Sequence, residues 1–147
     1  MKKYPNHRLA ARVQEQVQTL GSAAQFEGHT IGCLLPLSGK YAAFGRQALK
    51  GVELAVSQAS GRLAAEPPLT LLVKDTASEA ATALEGVREL SAHRAAAVIG
   101  PMVTAPEAAE EAQKLGLPML TLTQKTGIVD IGDYIFRNFL TPEMQVR

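Results

Sequence analysis

The sequence predicts an α/β fold, an open parallel sheet with helices on both faces in a Rossmann-like three-layer sandwich. Three observations carry this. From Thr30 onward, apolar runs of strand length alternate strictly with helical patterns. The runs are continuous rather than every-other-residue, which suits strands covered on both faces. With 147 residues, 46% of them hydrophobic, the chain can bury one sizeable core.

The elements follow in order. His7 to Leu20 reads as a short helix, because Leu9, Val13, Val17 and Leu20 recur at helical spacing among Arg, Gln and Glu. "GSAAQFEGH" reads as a linker, so residues 1–29 form a helix and linker and residues 30–147 the sheet-bearing unit. "TIGCLLP" is the first strand. Tyr41 to Ser60 is the next helix, with Phe44, Ala48, Val52, Ala55 and Ala59 on one stripe. After the loop "GRLAAEPP", "LTLLVKD" is a second strand ending at Asp75. Ser78 to Ala92 is a second helix with Ala80, Leu84, Val87 and Leu90 inward, and Thr76 and Glu79 have capping-box spacing at its start. "AAAVIG" is a third strand, and Thr104 to Leu115 a third helix with an alanine-rich inner face. "PMLTLT" and "DYIFRN" are the fourth and fifth strands, and "TPEMQVR" begins a further helix.

Such alternation implies right-handed crossovers and a ligand site beyond the carboxyl ends of the strands. Four segments therefore matter most: residues 36–41, 75–78, 100–104 and 123–127.

Several chemistries are excluded. Fifteen basic and fourteen acidic residues leave a net charge of +1, with no electrostatic footprint for nucleic acid or an anionic membrane. Aromatics are 5% and Trp is absent, which argues against base-stacking platforms. Gly39-Lys40 is not a Walker loop, since Tyr41 stands where the Ser or Thr is needed and Leu34 at the first glycine. No glycine pair of the dinucleotide fingerprint opens the first helix. A receiver domain would need acids at the end of the first strand and an Asp ending the third, where this chain has Pro-Leu-Ser and Gly100. His7, His29 and His93 fall outside the strand-end loops and share no metal-ligand spacing with one another or with Cys33. Cys33, the single cysteine, lies inside an apolar run and reads as a buried strand residue. No targeting segment precedes Thr30, and no apolar run approaches the length of a bilayer span. The chain is thus either cytoplasmic or a stretch of a longer exported protein.

Hydroxyls remain. Ser38, Thr104 and Thr123 each fall just past a strand end. Thr104 opens a helix with Pro106 in its first turn and Glu107 three residues on, a pattern that fits a plain N-cap. The same geometry offers unpaired N–H groups and a partial positive charge, which suit a carboxylate. Lys125 is a candidate charge partner for an anionic ligand. Asp75, the one acid at a strand end, reads as a turn-fixing or helix-capping residue.

The segments "IGCLLPLSGKYAAFGRQALKGVELAV", "VKDTASEAATALEGVREL", "AAVIGPMVT" and "LPMLTLTQKTG" together resemble the type I periplasmic binding proteins, nearest the leucine/isoleucine/valine-binding branch. The likeness runs from about Thr30 to Arg147. It implies one lobe, cut near the first crossover, of a two-lobed protein that closes on a small amino-acid-like ligand and serves the membrane permease of an ABC transporter or a sensor. It implies no enzymatic activity, no cofactor and a periplasmic or envelope-anchored setting. In amino-acid-binding members, a hydroxyl residue soon after the Gly-Pro turn holds the ligand carboxylate. Here that turn begins at Gly100, and Thr104 is the matching position. A second set of contacts follows the fourth strand, often as Ser-Ala-Thr, and this sequence has Thr123-Gln124-Lys125. Ser38 and Tyr41 complete the expected set, Tyr41 as a shield over the ligand. An alternative branch is also similar: the activators of penicillin-binding proteins carry this fold after helical repeats, which "YPNHRLAARVQEQVQ" resembles, and their partner is a peptidoglycan synthase. A lobe without its returning elements would expose apolar surface and self-associate.

Overall fold

The computed structural model describes residues 27–63 and 67–140. The expected helix over His7–Leu20 and the helix start at "TPEMQVR" lie outside the described residues.

Five strands form one parallel sheet in the order β2-β1-β3-β4-β5: β1 Glu27–Leu35, β2 Thr70–Asp75, β3 Ala95–Ile99, β4 Met119–Thr121 and β5 Ile135–Arg137. Three α-helices connect them, α1 Ala42–Leu63, α2 Ala80–Ala92 and α3 Ala105–Leu115, and a 3-10 turn, Ile128–Ile131, leads into β5. β1 starts three residues before the apolar run, because Glu27 already pairs with Ala95 and its amide donates to the Arg94 carbonyl at 2.7 Å.

The strand order makes the chain reverse direction after β2. With right-handed crossovers, α1 then falls on one face of the sheet and α2 and α3 on the other. The packing agrees. Leu34, Val98, Met119 and Ile135 of the strands form one core with Ala83, Val87 and Leu90 of α2 and Ala105, Ala108, Ala109 and Ala112 of α3. Gly32 points to the same face: a Cβ there would lie 2.9 Å from a Leu90 methyl. Arg88 of α2 donates its Nε to Glu111 of α3 at 2.7 Å, clamping the two helices over this core.

Among the described residues, the other face is most fully covered over β1. Cys33 and Leu35 are buried there beneath α1. Burial pushes the Cys33 thiol up to about 12, helped by the Glu53 carboxylate of α1. The register puts Val73, Ile99, Leu120 and Phe136 on this face too, and Val73 and Phe136 are exposed. The α1 stripe is only partly covered: Phe44 is 61% exposed and Ala55 is exposed as well, while Ala48, Val52 and Ala59 are half-buried. Periodicity grouped these residues correctly, but the described chain meets them only in part.

The start of α2 also departs from expectation. Ser78 donates its amide to the Thr76 hydroxyl at 3.3 Å, and Glu79 donates to the Thr76 carbonyl at 2.7 Å. Thr76 thus fixes a turn, and Glu79 sits at the N-cap without a side-chain cap bond.

Candidate functional site

The strand reversal creates a switch point between β1 and β3. The loop after β1 leads toward one edge of the sheet and the loop after β3 toward the other, and at the carboxyl ends of such a switch point open α/β sheets leave a crevice for ligands.

Asp75 builds one wall of it. The register sets Leu35 beside Asp75, so the loop after β1 passes directly over the carboxylate. Asp75 Oδ1 accepts amide hydrogens from Leu37 at 2.7 Å, Ala77 at 2.8 Å and Ser38 at 3.1 Å. The Ser38 hydroxyl bonds to the same carboxylate. Desolvation alone would raise its pKa, but these donors outweigh that and hold Asp75 below the usual carboxylate range. Ser78 Oγ adds a bond to the Ser38 carbonyl at 3.4 Å. Ser38 is thus knitted into the turn. Next to it, Lys40 Nζ lies 5.4 Å from the centre of the Tyr41 ring. Arg46, one helical turn into α1, donates to the Leu37 carbonyl at 3.1 Å.

The opposite wall is the loop after β3. Gly100 has φ +103°, and a Cβ there would lie 2.0 Å from the Leu34 carbonyl oxygen, so only glycine lets β3 leave the sheet this close to β1. The Gly100–Pro101 peptide is cis. Thr104 occupies the N-cap position of α3, with Pro106 in the first turn, but its side chain makes no cap bond. Its φ of −93° and ψ of 34° lie outside the extended geometry of an N-cap. Thr104 is only 6% exposed, and its Oγ1 is buried without a partner among the described residues. A buried hydroxyl left unpaired is costly, and such groups mark sites where something else supplies the partner.

The loop after β4 adjoins this wall. Leu122 donates its amide to the Pro101 carbonyl at 3.0 Å, and Gly100 donates to Leu120 at 2.9 Å, so the two loops leave the sheet side by side. Thr123 is buried, and its hydroxyl accepts the Lys125 amide at 3.3 Å. Gln124 and Lys125 are exposed. Arg137 Nη1 donates to the Lys125 carbonyl at 3.3 Å, holding the loop from the β5 side.

A periplasmic binding protein model matches residues 29–147, four fifths of the chain and all the elements described except the first two residues of β1. The chain belongs to the periplasmic binding protein family. No curated protein matches it by sequence. Among solved structures, it is similar to the branched-chain amino acid transporter substrate-binding protein LivJ from Streptococcus pneumoniae, solved with isoleucine, at 27% identity and a TM-score of 0.72 over 78% of this chain and 34% of that one. The amino acid ABC transporter substrate-binding protein from Pseudomonas fluorescens is 28% identical, with a TM-score of 0.64 over 76% of this chain and 31% of that chain. The leucine-binding protein LivK from Thermotoga maritima, at 22% identity, shares the fold with a TM-score of 0.71, over 79% of this chain and 34% of that one. The chain spans about a third of the length of these relatives. As a member of this family, it carries the type I periplasmic binding fold in part, and the family is one of solute-binding proteins rather than enzymes.

Within this family fold, Ser38, Tyr41, Gly100, Thr104, Thr123 and Gln124 all lie at the carboxyl ends of β1, β3 and β4. Their states differ. Thr104 alone offers a buried, unengaged hydroxyl among the described residues; Ser38 is turned to Asp75, and Thr123 stabilises its own loop. The anchoring work of Asp75 on a loop nearly forty residues away becomes visible only once β1 and β2 pair. At the opposite, amino-terminal end of the sheet, Glu27, Thr30, Thr70, Leu72, Ala92, His93 and Arg94 line a broad depression of about 400 Å³, remote from Thr104. Among the described residues, no group of three His, Cys, Asp or Glu side chains is placed to hold a metal. No helix of the described residues is long and apolar enough to cross a membrane.

Proposed function

We propose that this chain is a non-enzymatic solute-binding lobe that holds the carboxylate of a small, amino-acid-sized ligand at the switch point between β1 and β3. One observation carries the reading. Thr104 Oγ1 is buried without a partner among the described residues, at the N-terminus of an eleven-residue helix. The first-turn N–H groups of a helix lack internal acceptors and sit at the positive end of its dipole. A carboxylate placed there satisfies both the hydroxyl and the amides. Tyr41, stacked with Lys40 on the facing loop, would cover the ligand, and the exposed Gln124 would reach it from the loop after β4. The complete site serves the permease of an ABC transporter from the periplasm, in keeping with the transporter proteins to which the chain is similar.

Calorimetry on the whole protein with a panel of small carboxylates and amino acids tests this. The expected result is binding that Thr104→Ala abolishes while circular dichroism shows the fold retained. A panel that gives no heat, or a Thr104→Ala variant that binds as wild type does, overturns it.

The partly bare sheet face adds a second expectation. Phe44, Val73 and Phe136 expose apolar surface on one side of the sheet, and this surface favours pairing with a second copy of the chain.

A further inference from the structure

The loops after β1 and β2 are built as one unit around the Asp75 carboxylate. Thr76 donates its amide to the Leu35 carbonyl at 2.9 Å, and Asp75 Oδ1 takes the amides of Leu37 and Ser38 from the same loop and that of Ala77 from its own. Leu37 is held from its other side by Arg46, whose guanidinium donates to the Leu37 carbonyl. Gly39, with φ +74°, packs so closely that a Cβ there would lie 2.5 Å from the Ala77 carbonyl oxygen. Ala77 and Ser78, with φ of +48° and +64°, both adopt the left-handed region that side chains disfavour. Such residues persist only where the surrounding structure over-determines them, and they gather at ligand clamps and switches. Here bonds to Asp75 Oδ1, Thr76 Oγ1 and the Ser38 carbonyl hold the pair. The unit reaches the Thr104 wall through β1. Leu34, one residue before the bonded Leu35, backs its carbonyl oxygen onto Gly100, where the loop to Thr104 begins. β2 and β3 flank β1, so Asp75 itself stands two strand spacings from β3, about 10 Å.

We infer that Asp75 is a positioning residue of the ligand site: without touching a solute, it fixes the loop after β1, with Ser38 and Tyr41, against the Gly100 turn before a solute arrives. This inference rests on the carboxylate reading of Thr104 given above. A loop already set in its bound position loses little further freedom when a solute enters, so its fixing is read out as affinity. Hydrogen bonds from amides to an ionised carboxylate are stronger than those to a neutral acceptor, which suits an acid in this place.

The test combines amide hydrogen exchange on the whole protein without solute and calorimetry with leucine, isoleucine, glutamate and lactate. In Asp75→Ala, exchange at Leu37, Ser38 and Ala77 is expected to accelerate at least tenfold more than exchange at Val98 and Met119 in the strands. Affinity for whichever of the four wild type binds most tightly is expected to fall about tenfold, most of it in the binding entropy. Asp75→Asn, which keeps one acceptor oxygen, is expected to recover part of both losses. Leu90→Ala, which opens the core under α2 and not the loop, is expected to melt lower yet bind with wild-type affinity, which separates positioning from stability. An Asp75→Ala variant that binds as wild type does, or that loses no more affinity than Leu90→Ala, overturns the role of Asp75 and leaves the Thr104 reading standing. A Thr104→Ala variant with wild-type affinity, or a wild type that binds none of the four, overturns the carboxylate site and this inference with it.

Discussion

Thr104, Asp75 and Cys33 show three fates of a polar side chain in one small sheet. The Thr104 hydroxyl is buried without a partner among the described residues, so folding gains no hydrogen bond from it there. Thr104→Val is expected to leave the protein as stable or up to about 1 kcal/mol more stable in urea unfolding, while reducing ligand affinity tenfold or more. Asp75 is the reverse case. Its folded pKa lies below its unfolded value, so its contribution is fully present above about pH 4 and fades as pH falls through the folded pKa. Asp75→Asn should lower stability by about 1–2 kcal/mol at neutral pH, and should flatten the acid limb of a stability-against-pH curve. Cys33 is buried with its thiol pushed up to about 12, and it is expected to label with iodoacetamide only at the rate of unfolding. Labelling as fast as a free thiol would mean that α1 does not cover β1. The sequence announces all three residue types but not their states. Only the pairing of Leu35 with Asp75 brings the Ser38 hydroxyl to a carboxylate, and only the backbone angles of Thr104 keep its hydroxyl from capping.

At the scale of elements, α1 divides into two regions. Its first turn is pressed onto the loop after β1, where a Cβ at Gly45 would lie 2.0 Å from the Pro36 carbonyl oxygen. Further along, the outer side of the helix is open, and among the described residues a Cβ at Gly51 would meet nothing within 4 Å. Gly45→Ala should therefore destabilise by about 1–3 kcal/mol through overpacking against backbone. Gly51→Ala should stabilise by about 0.5–1 kcal/mol by removing backbone freedom from the unfolded chain. Thermal melts of the two variants, shifted in opposite directions, check both statements. Hydrophobic spacing revealed where this helix runs, ending three residues short of Leu63. It could not reveal what lies against the stripe, because a period reports which residues share a face and not the surface that face meets. The same limit explains α2, where Thr76 and Glu79 have the right spacing for a capping box but are spent on a turn.

At the scale of the molecule, strict alternation of strands and helices was enough to read the fold class, since parallel sheets admit few other arrangements. The strand order was not readable, because no residue of β1 states that it lies between β2 and β3. That order places the crevice, and the unequal cover of the two faces follows from it. Apolar surface at Phe44 and Phe136 should drive concentration-dependent association, visible in light scattering of this chain. Phe44→Glu combined with Phe136→Glu should return it to monomer, and a clean monomer of the unaltered chain at high concentration would refute the expectation. The other face carries a different consequence. Four alanines of α3 are fully buried against the strands, so helix and sheet approach at the distance a methyl group allows. A saturation library of this chain would record that distance as a map of tolerance. Ala105, Ala108, Ala109 and Ala112 would accept almost nothing larger, while positions along the outer side of α1 would drift freely. The history of such a protein would then be written on one side of its sheet and erased on the other.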